Sequence, residues 1–351
     1  MTVKANSQSD GTILDTIFGG QSKILFSPNG THASDMRTAF VTGSSGYLGS
    51  HVCKELKKAG WKVFGYDYEQ PKHLYLDMWE NADIRDSLSL YGALKRCQPD
   101  VIFHFAGRIE VGLSQQEPTE FYEVNSGGTT VLLNMMKQLE LNNIIYSSTA
   151  GVYEPQSRPI QEPDPKNWDN NPYAGSKLCA ETAIRHSGLK HIIFRYFNLA
   201  GADPDNDIGE CHEPETHLIP KTLQNLNTFV EIYGTSYNTE DGTCVRDYVH
   251  VSDVASAHLL AAEHLLAGKE SHILNLGTGN GESVVSIISK IIKMTNMPMT
   301  NVVTLPRREG DPARLVADIT LAKKILNYQP KHDIMSILQT AYNWHLKQNG
   351  K

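Results

Sequence analysis

Tyr173 and Lys177 stand at i and i+4 in Tyr173-Ala174-Gly175-Ser176-Lys177, directly after Pro172, a residue suited to the first turn of a helix. They share one helix face, about 6 Å apart along the axis. A free phenol titrates near ~10, and a neighbouring ammonium together with a cationic nicotinamide would lower that by roughly 1–3 units. The pair is therefore expected to give a tyrosine able to remove a hydroxyl proton near neutral pH. Alone, such a pair is common on exposed helix faces. Upstream, Ser147-Ser148-Thr149 closes an apolar run, and its hydroxyls are expected to bridge a substrate oxygen to Tyr173.

A second chemical cluster is Gly43-Ser44-Ser45-Gly46-Tyr47-Leu48-Gly49, spaced G-x-x-G-x-x-G. Glycines permit a tight turn and let backbone N–H groups approach a pyrophosphate. A helix start behind them adds unpaired donors and partial positive charge. Three glycines in a turn are a weak signal alone. Asp67 lies 18 residues past Gly49, at the end of the next apolar run. A carboxylate there accepts from both adenosine ribose hydroxyls and repels a 2′-phosphate, which implies NAD over NADP.

The elements that must position these residues alternate. Short apolar runs at Thr38–Thr42, Trp61–Asp67, Val101–Ala106, Ile144–Ser148 and Ile192–Phe197 read as strands. Helical spacing covers Ser50–Lys58 and the stretches near 86–97, 120–140 and 172–187. Strands joined by helices predict an α/β fold: a doubly wound, Rossmann-like parallel sheet. After about residue 200 the alternation loosens, with strands near 230–233 and 249–251 and helices near 253–267, 284–295 and 334–347. The expected domains are an N-terminal extension (1–35), flexible and without function assigned; a dinucleotide-binding domain (36–200, with about 229–268); and a smaller substrate-binding lobe (201–351).

Composition narrows the function classes. The 351 residues carry 32 Lys plus Arg against 39 Asp plus Glu, a net charge of -7 that argues against nucleic acid as partner. No apolar run approaches the ~20 residues of a membrane span. The five scattered cysteines include no C-x-x-C pair, and no secretory signal opens the chain. Both features point to a reducing, cytoplasmic setting.

With these residues in place the chain resembles the extended short-chain dehydrogenase/reductase superfamily. The shared motifs are T-G-x-x-G-x-x-G, H-F-A-G (His104–Gly107), S-S-T ahead of Y-x-x-x-K, and R-Y-F-N (Arg195–Asn198). Within it, Glu215–Pro220 (E-T-H-L-I-P), Thr239–Tyr248 (T-E-D-G-T-C-V-R-D-Y) and Arg307–Asp311 (R-R-E-G-D) look like the UDP-glucose 4-epimerase family. The resemblance runs from about Arg37 to the C-terminus. It implies that Tyr173 deprotonates a sugar 4-hydroxyl, that hydride passes from C4 to tightly held NAD, and that the 4-keto sugar turns over before reduction. It implies catalytic roles for Tyr173, Lys177 and Thr149. It places NAD contacts on Gly43, Gly46, Tyr47, Leu48, Gly49, Asp67, Asp83, Ile84, Phe105, Ala106, Gly107, Asn125, Ser147, Tyr173, Lys177 and Tyr196. It places UDP-sugar contacts on Thr149, Tyr173, Asn198, His217, Leu218, Tyr233, Arg246, Arg308 and Asp311. It also implies a homodimer formed by the helices near 120–140 and 172–187.

Three positions sharpen the reading. Arg108-Ile109 replaces a lysine that contacts the cofactor in the family. Leu315 falls where a bulky aromatic residue would exclude N-acetyl sugars, so UDP-N-acetylglucosamine and UDP-glucuronate remain alternative substrates. Ala150-Gly151 follows Thr149 where related 4,6-dehydratases carry Asp-Glu, so no acid is available there to expel water. Glu210, His212, Glu213 and His217 have metal-ligand side chains, but their spacing matches no standard zinc pattern, and no metal is expected.

Overall fold

The computed structural model describes residues 36–350 apart from 213, 227, 297–300, 309 and 310. The N-terminal extension expected over 1–35 lies outside the described residues.

The chain runs β1 (Thr38–Thr42), α1 (Tyr47–Lys58), β2 (Lys62–Asp67), β3 (Met78–Asn81), α2 (Ser87–Cys97) and β4 (Val101–His104). Short helices α3 (Val111–Ser114) and α4 (Pro118–Phe121) lead into a π-helical turn, Tyr122–Gly127, and then α5 (Gly128–Gln138). β5 (Asn143–Thr149), α6 (Pro172–His186), β6 (Lys190–Tyr196) and β7 (Asn198–Ala200) follow. Next come α7 (Leu218–Gln224), β8 (Phe229–Tyr233), β9 (Val245–Arg246), β10 (Tyr248–His250), α8 (Val251–Leu266) and β11 (His272–Leu276). The chain closes with β12 (Glu282–Ser283), α9 (Val284–Thr295), β13 (Asn301–Leu305), β14 (Arg314–Leu315), α10 (Thr320–Leu326) and α11 (Ile334–Gln348).

Seven of these strands form one parallel sheet in the order β11-β6-β5-β4-β1-β2-β3. The alternation of side chains along a strand divides its core. Val41, Val63, Phe103, Ile145 and Phe194 face α1 and α8. Phe40, Phe64, Ile102, Ile144 and Ile193 face α2, α5 and α6. Burial on both faces is why the strands read as unbroken apolar runs. The strand order reverses between β1 and β4, so the loops leaving their C-terminal ends diverge and open a crevice.

The strands of the C-terminal half divide between the large sheet and smaller ones. β8 pairs with β13 in a separate two-stranded sheet, because its buried Val230 and Ile232 pack with α9 instead of the large sheet. β11, beyond the expected boundary at 268, adds the seventh strand of the large sheet. β3 was not expected as a strand either. Its Met-Trp-Glu-Asn sequence is mostly exposed at the sheet edge and lacks β-branched residues. Among the described residues no helix is long and apolar enough to cross a membrane.

Candidate active site

The dinucleotide turn leaves β1 at Gly43, whose φ of 68° is costly for any residue with a Cβ. Its N–H donates to the Tyr66 carbonyl at 2.9 Å, and a Cβ there would stand 2.6 Å from the Ala106 nitrogen. A Cβ on Gly49 would collide with the Gly43 carbonyl. The turn thus closes tightly onto the Phe105-Ala106-Gly107 loop that leaves β4. Gly46 starts α1 without a side-chain cap and with no acid in the first turn, leaving the Tyr47 and Leu48 end of the helix to an anion. Asp67 stands beside this turn. Its Oδ2 accepts from Ser45 N–H at 2.8 Å and its Oδ1 from Glu69 N–H at 3.0 Å. Burial raises its pKa, against the pull of those N–H groups.

Not every expected cofactor contact offers a free side chain. The Tyr47 hydroxyl donates to the Gly201 carbonyl at 2.6 Å, so its backbone is what faces the turn. Asp83 is held by Arg85 at 2.7 Å, and Ile84 is buried against Gly128. The Tyr196 hydroxyl meets His258 Nε2 at 2.7 Å. Asn125, buried in the π-helical turn, accepts from Arg108 N–H at 2.7 Å and donates to the Arg108 carbonyl at 3.1 Å and to Ser176 Oγ at 2.9 Å. It clamps the loop after β4. The Arg108 guanidinium, at the position of the family lysine, lies over Phe121 near Glu110 and Glu117.

The candidate catalytic group sits where β5 ends and α6 begins. Asn171 caps α6 by accepting from Ala174 N–H at 2.8 Å, and Pro172 occupies the first turn. Lys177 Nζ donates to the Ser147 carbonyl at 3.0 Å, and a Cβ on Gly107 would lie 3.2 Å from it. Thr149 Oγ1 accepts from Gly151 N–H at 3.0 Å, leaving its proton for a hydrogen bond that lowers the Tyr173 phenol. Burial outweighs that bond, and Tyr173 is pushed up to about 12. The expected lowering by Lys177 is therefore not met by the protein alone. Burial also brings Lys177 down to about 8, weakening the very charge that was to act on the phenol.

Alternation along β5 corrects one further expectation. Ser148 faces away from Tyr173 and donates to Glu181 instead. Glu181 takes a two-pronged contact from Arg195, with Nε to Oε1 at 2.9 Å and Nη2 to Oε2 at 2.6 Å. Arg195 Nη1 also donates to Tyr153 Oη at 2.9 Å. Sequence reasoning missed this network. The signal was present: a lone arginine inside the apolar run Ile192–Phe197 demands a buried partner.

The expected sugar-nucleotide contacts come from separate segments. Arg246 Nη2 pairs with Asp311 Oδ1 at 2.7 Å and its Nη1 donates to the Pro312 carbonyl at 2.8 Å. Leu315 lies opposite Arg246 in the β14–β9 register. The Arg308 guanidinium stacks 4.0 Å from the Tyr233 ring. Asn198 is tied by its N–H to the Asp247 carbonyl at 2.9 Å, one residue from Arg246. His217 directly precedes α7 and Leu218 opens it. Asp247, also missed, accepts four bonds from Thr278 N–H and Oγ1, Gly279 N–H and Ala317 N–H at 2.7–3.1 Å. It fixes the strand that carries Arg246.

A parallel sheet with a glycine turn at its reversal point and a Tyr-Lys pair at a neighbouring strand end defines a class of dinucleotide-dependent enzymes. The pattern of the NAD dependent epimerase/dehydratase family matches residues 39–277, and the chain belongs to that family. It is 41% identical to UDP-glucose 4-epimerase of Rhizobium meliloti (strain 1021) over 320 residues, covering 88% of this chain and 97% of that protein. The crystal structure of UDP-glucose 4-epimerase from Brucella ovis in complex with NAD is similar at 37% identity and a TM-score of 0.83, over 87% of this chain and 97% of that one. The Bifidobacterium longum UDP-glucose 4-epimerase, solved with NAD+ and UDP, is similar at 33% identity and a TM-score of 0.83, over 89% and 99%.

Proposed function

We propose that this chain is an NAD-dependent 4-epimerase that interconverts UDP-glucose and UDP-galactose through a 4-keto sugar. The observation that carries the reading is the group at the end of β5: Thr149 closing the strand, Tyr173 and Lys177 on the first turns of α6 with Lys177 anchored on Ser147, and Ala150-Gly151 where a dehydrating acid would stand.

The residues present fit NAD. The glycine turn has no room for a Cβ, the first turn of α1 is uncapped, and Asp67 stands beside it. Gly43, Gly46 and the start of α1 would hold the pyrophosphate, Asp67 the adenosine ribose, and Lys177 the nicotinamide ribose. When bound, NAD supplies the reversible hydride acceptor for the sugar C4 and a positive ring near the phenol. Tyr173 Oη takes the proton from the sugar 4-hydroxyl and returns it when the cycle closes. Thr149 orients the same oxygen. Arg246 and Arg308 bind the diphosphate, for which guanidinium forks are matched. Asn198, His217, Leu218, Tyr233 and Asp311 complete the nucleotide-sugar contacts.

We also propose a homodimer through α5 and α6, supported by the partly buried apolar Val131, Met135 and Ala183 on those helices. Five unpaired cysteines fit a reducing cytoplasm.

Purified protein without added cofactor, incubated with UDP-galactose, should yield UDP-glucose and release NAD on denaturation. A dehydrated 4-keto-6-deoxy product, or turnover that depends on exchangeable added NAD, would overturn the reading. Half-buried Leu315 stands opposite Arg246 and is smaller than the aromatic ring that would exclude an N-acetyl group. Leu315→Tyr should cut turnover of UDP-N-acetylglucosamine more than of UDP-glucose, and equal losses would remove Leu315 from substrate selection.

A further inference from the structure

The loop between β7 and α7 contains two short repeats, Glu210-Cys211-His212 and Glu215-Thr216-His217. In extended backbone, residues two apart point the same way. The structure folds the two repeats together. Glu210 Oε1 lies 2.6 Å from His217 Nδ1 and 3.1 Å from His212 Nδ1, and Glu215 Oε1 lies 2.9 Å from His217 Nδ1. One donor atom from each of these four residues lies within 4.8 Å of the other three. Ligand atoms around a tetrahedral zinc at ~2.0–2.2 Å are about 3.3 Å apart. The observed separations need only small side-chain movements to match. Glu213, which the sequence put in the cluster, lies outside the described residues.

A second observation concerns charge. The Glu210 and Glu215 side chains are only 9% and 5% exposed. Two adjoining buried carboxylates require compensation. Among the described residues no lysine or arginine pairs with either of them, and only the two imidazoles do. The neighbouring Asp203, Asp205 and Asp207 show the contrast. There Lys54 Nζ sits among the three carboxylates at 2.6, 2.9 and 3.1 Å, so that cluster already holds its own cation. The Glu–His cluster holds none of fixed charge. His212 and His217 are 30% and 45% exposed, which leaves an entry path on the imidazole side.

We propose that Glu210, His212, Glu215 and His217 form a binding site for a divalent transition-metal ion of the zinc class. Two imidazole nitrogens with two carboxylate oxygens favour zinc or cobalt over calcium or magnesium, which take oxygen ligands. His217 Nε2 stays free for the sugar-nucleotide. The His212 ring lies 6.5 Å from the Tyr47 ring, so the site stands beside the start of α1. This departs from the expectation of no metal. The proposed ligands come from a folded-back loop, not from a helix or a Cys-rich knuckle, so their spacing matches no standard zinc pattern.

The test is metal content and spectrum, so its outcome is independent of whether the chain epimerises a sugar. The full-length protein is loaded with Co(II) or Zn(II), freed of excess by gel filtration and analysed. One ion per chain and the visible bands of four-coordinate Co(II), without a thiolate charge-transfer band, are expected. Glu210→Gln should weaken retention at least ~10–100-fold, the loss typical even for residues that only support a ligand. His212→Gln should do the same; among the described residues its ring makes a polar contact only with Glu210, so this variant keeps the test valid if Glu210→Gln does not fold. Cys211→Ser should bind normally. No retention, closure of the cluster by a proton alone, or a metal lost in Cys211→Ser but kept in His212→Gln would overturn the proposal.

Discussion

The two halves of the proposed active site are built from different materials. The dinucleotide half is backbone: a turn too tight for a Cβ, an uncapped helix start and two loop ends pressed together. The sugar-nucleotide half is side chains, gathered from β7, α7, β8, β9 and the stretch after β13 and held by pairs such as Arg246–Asp311 and Arg308–Tyr233. Between them stands the Tyr173 group, which borrows a sheet end from the first half and faces the second. A backbone site tolerates little local change but depends on few distant residues. A side-chain site tolerates single losses but needs its scaffolding intact.

The comparison breaks most severely at the junction. Tyr173→Phe should lower kcat by about 10²–10⁴-fold, the usual worth of a general base. NAD content and the unfolding midpoint should stay near wild type. Loss of bound NAD in that variant would mean that the two halves are not separable there.

Next in size is the scaffolding beneath β5. Glu181→Ala strands Arg195 as a buried unpaired charge and should cost about 3–5 kcal/mol in urea unfolding. A loss below about 1 kcal/mol, the worth of an exposed ion pair, would show that water reaches Arg195.

Within the sugar half, the two arginines should differ. Arg246→Ala removes a charge-assisted contact worth ~1.5–3 kcal/mol, so KM for UDP-galactose should rise roughly 10–100-fold. Arg308→Ala removes an exposed, solvent-screened diphosphate contact worth about 0.5–1 kcal/mol, so KM should rise only a few-fold. A larger effect from Arg308 would assign it the main diphosphate contact.

The smallest effect is a slope. Lys177, unfolded, titrates near ~10.4. Folded, it titrates at about 8. Between these values the unfolded chain holds the extra proton, so stability rises with pH across that window. Below pH 8 the penalty is fully present. Lys177→Met should be more resistant to urea than wild type at pH 7, with the gap closing toward pH 10 in paired unfolding curves. A gap that does not change with pH would show that Lys177 keeps its ordinary pKa in the fold.

These differences also explain what could be read from the chain. β1, the glycine turn and Asp67 were legible because burial on both strand faces and the need for glycine leave local marks. The catalytic pair was legible because helical spacing alone places it. β3 was not, since an exposed edge strand has no apolar pattern to betray it. The direction of Ser148 was not, because a side chain's face depends on its register with Arg195, which the structure supplies. The raised pKa of Tyr173 in the protein alone was not legible for a similar reason: the sequence shows a lysine four residues away but not how deeply both are buried.

The π-helical turn at Tyr122–Gly127 has a consequence for how the chain can change. A wider turn carries one residue more than an α-helical one, so the segments on either side are about 100° out of phase with a continuous α-helix. Asn125 owes its inward aim, between the Arg108 backbone and Ser176, to that offset. Deleting one residue there would let the helix run on smoothly and swing the amide round to another side. The insertion is thus a rotational setting, and lineages that keep the loop after β4 in place are bound to keep the odd residue with it.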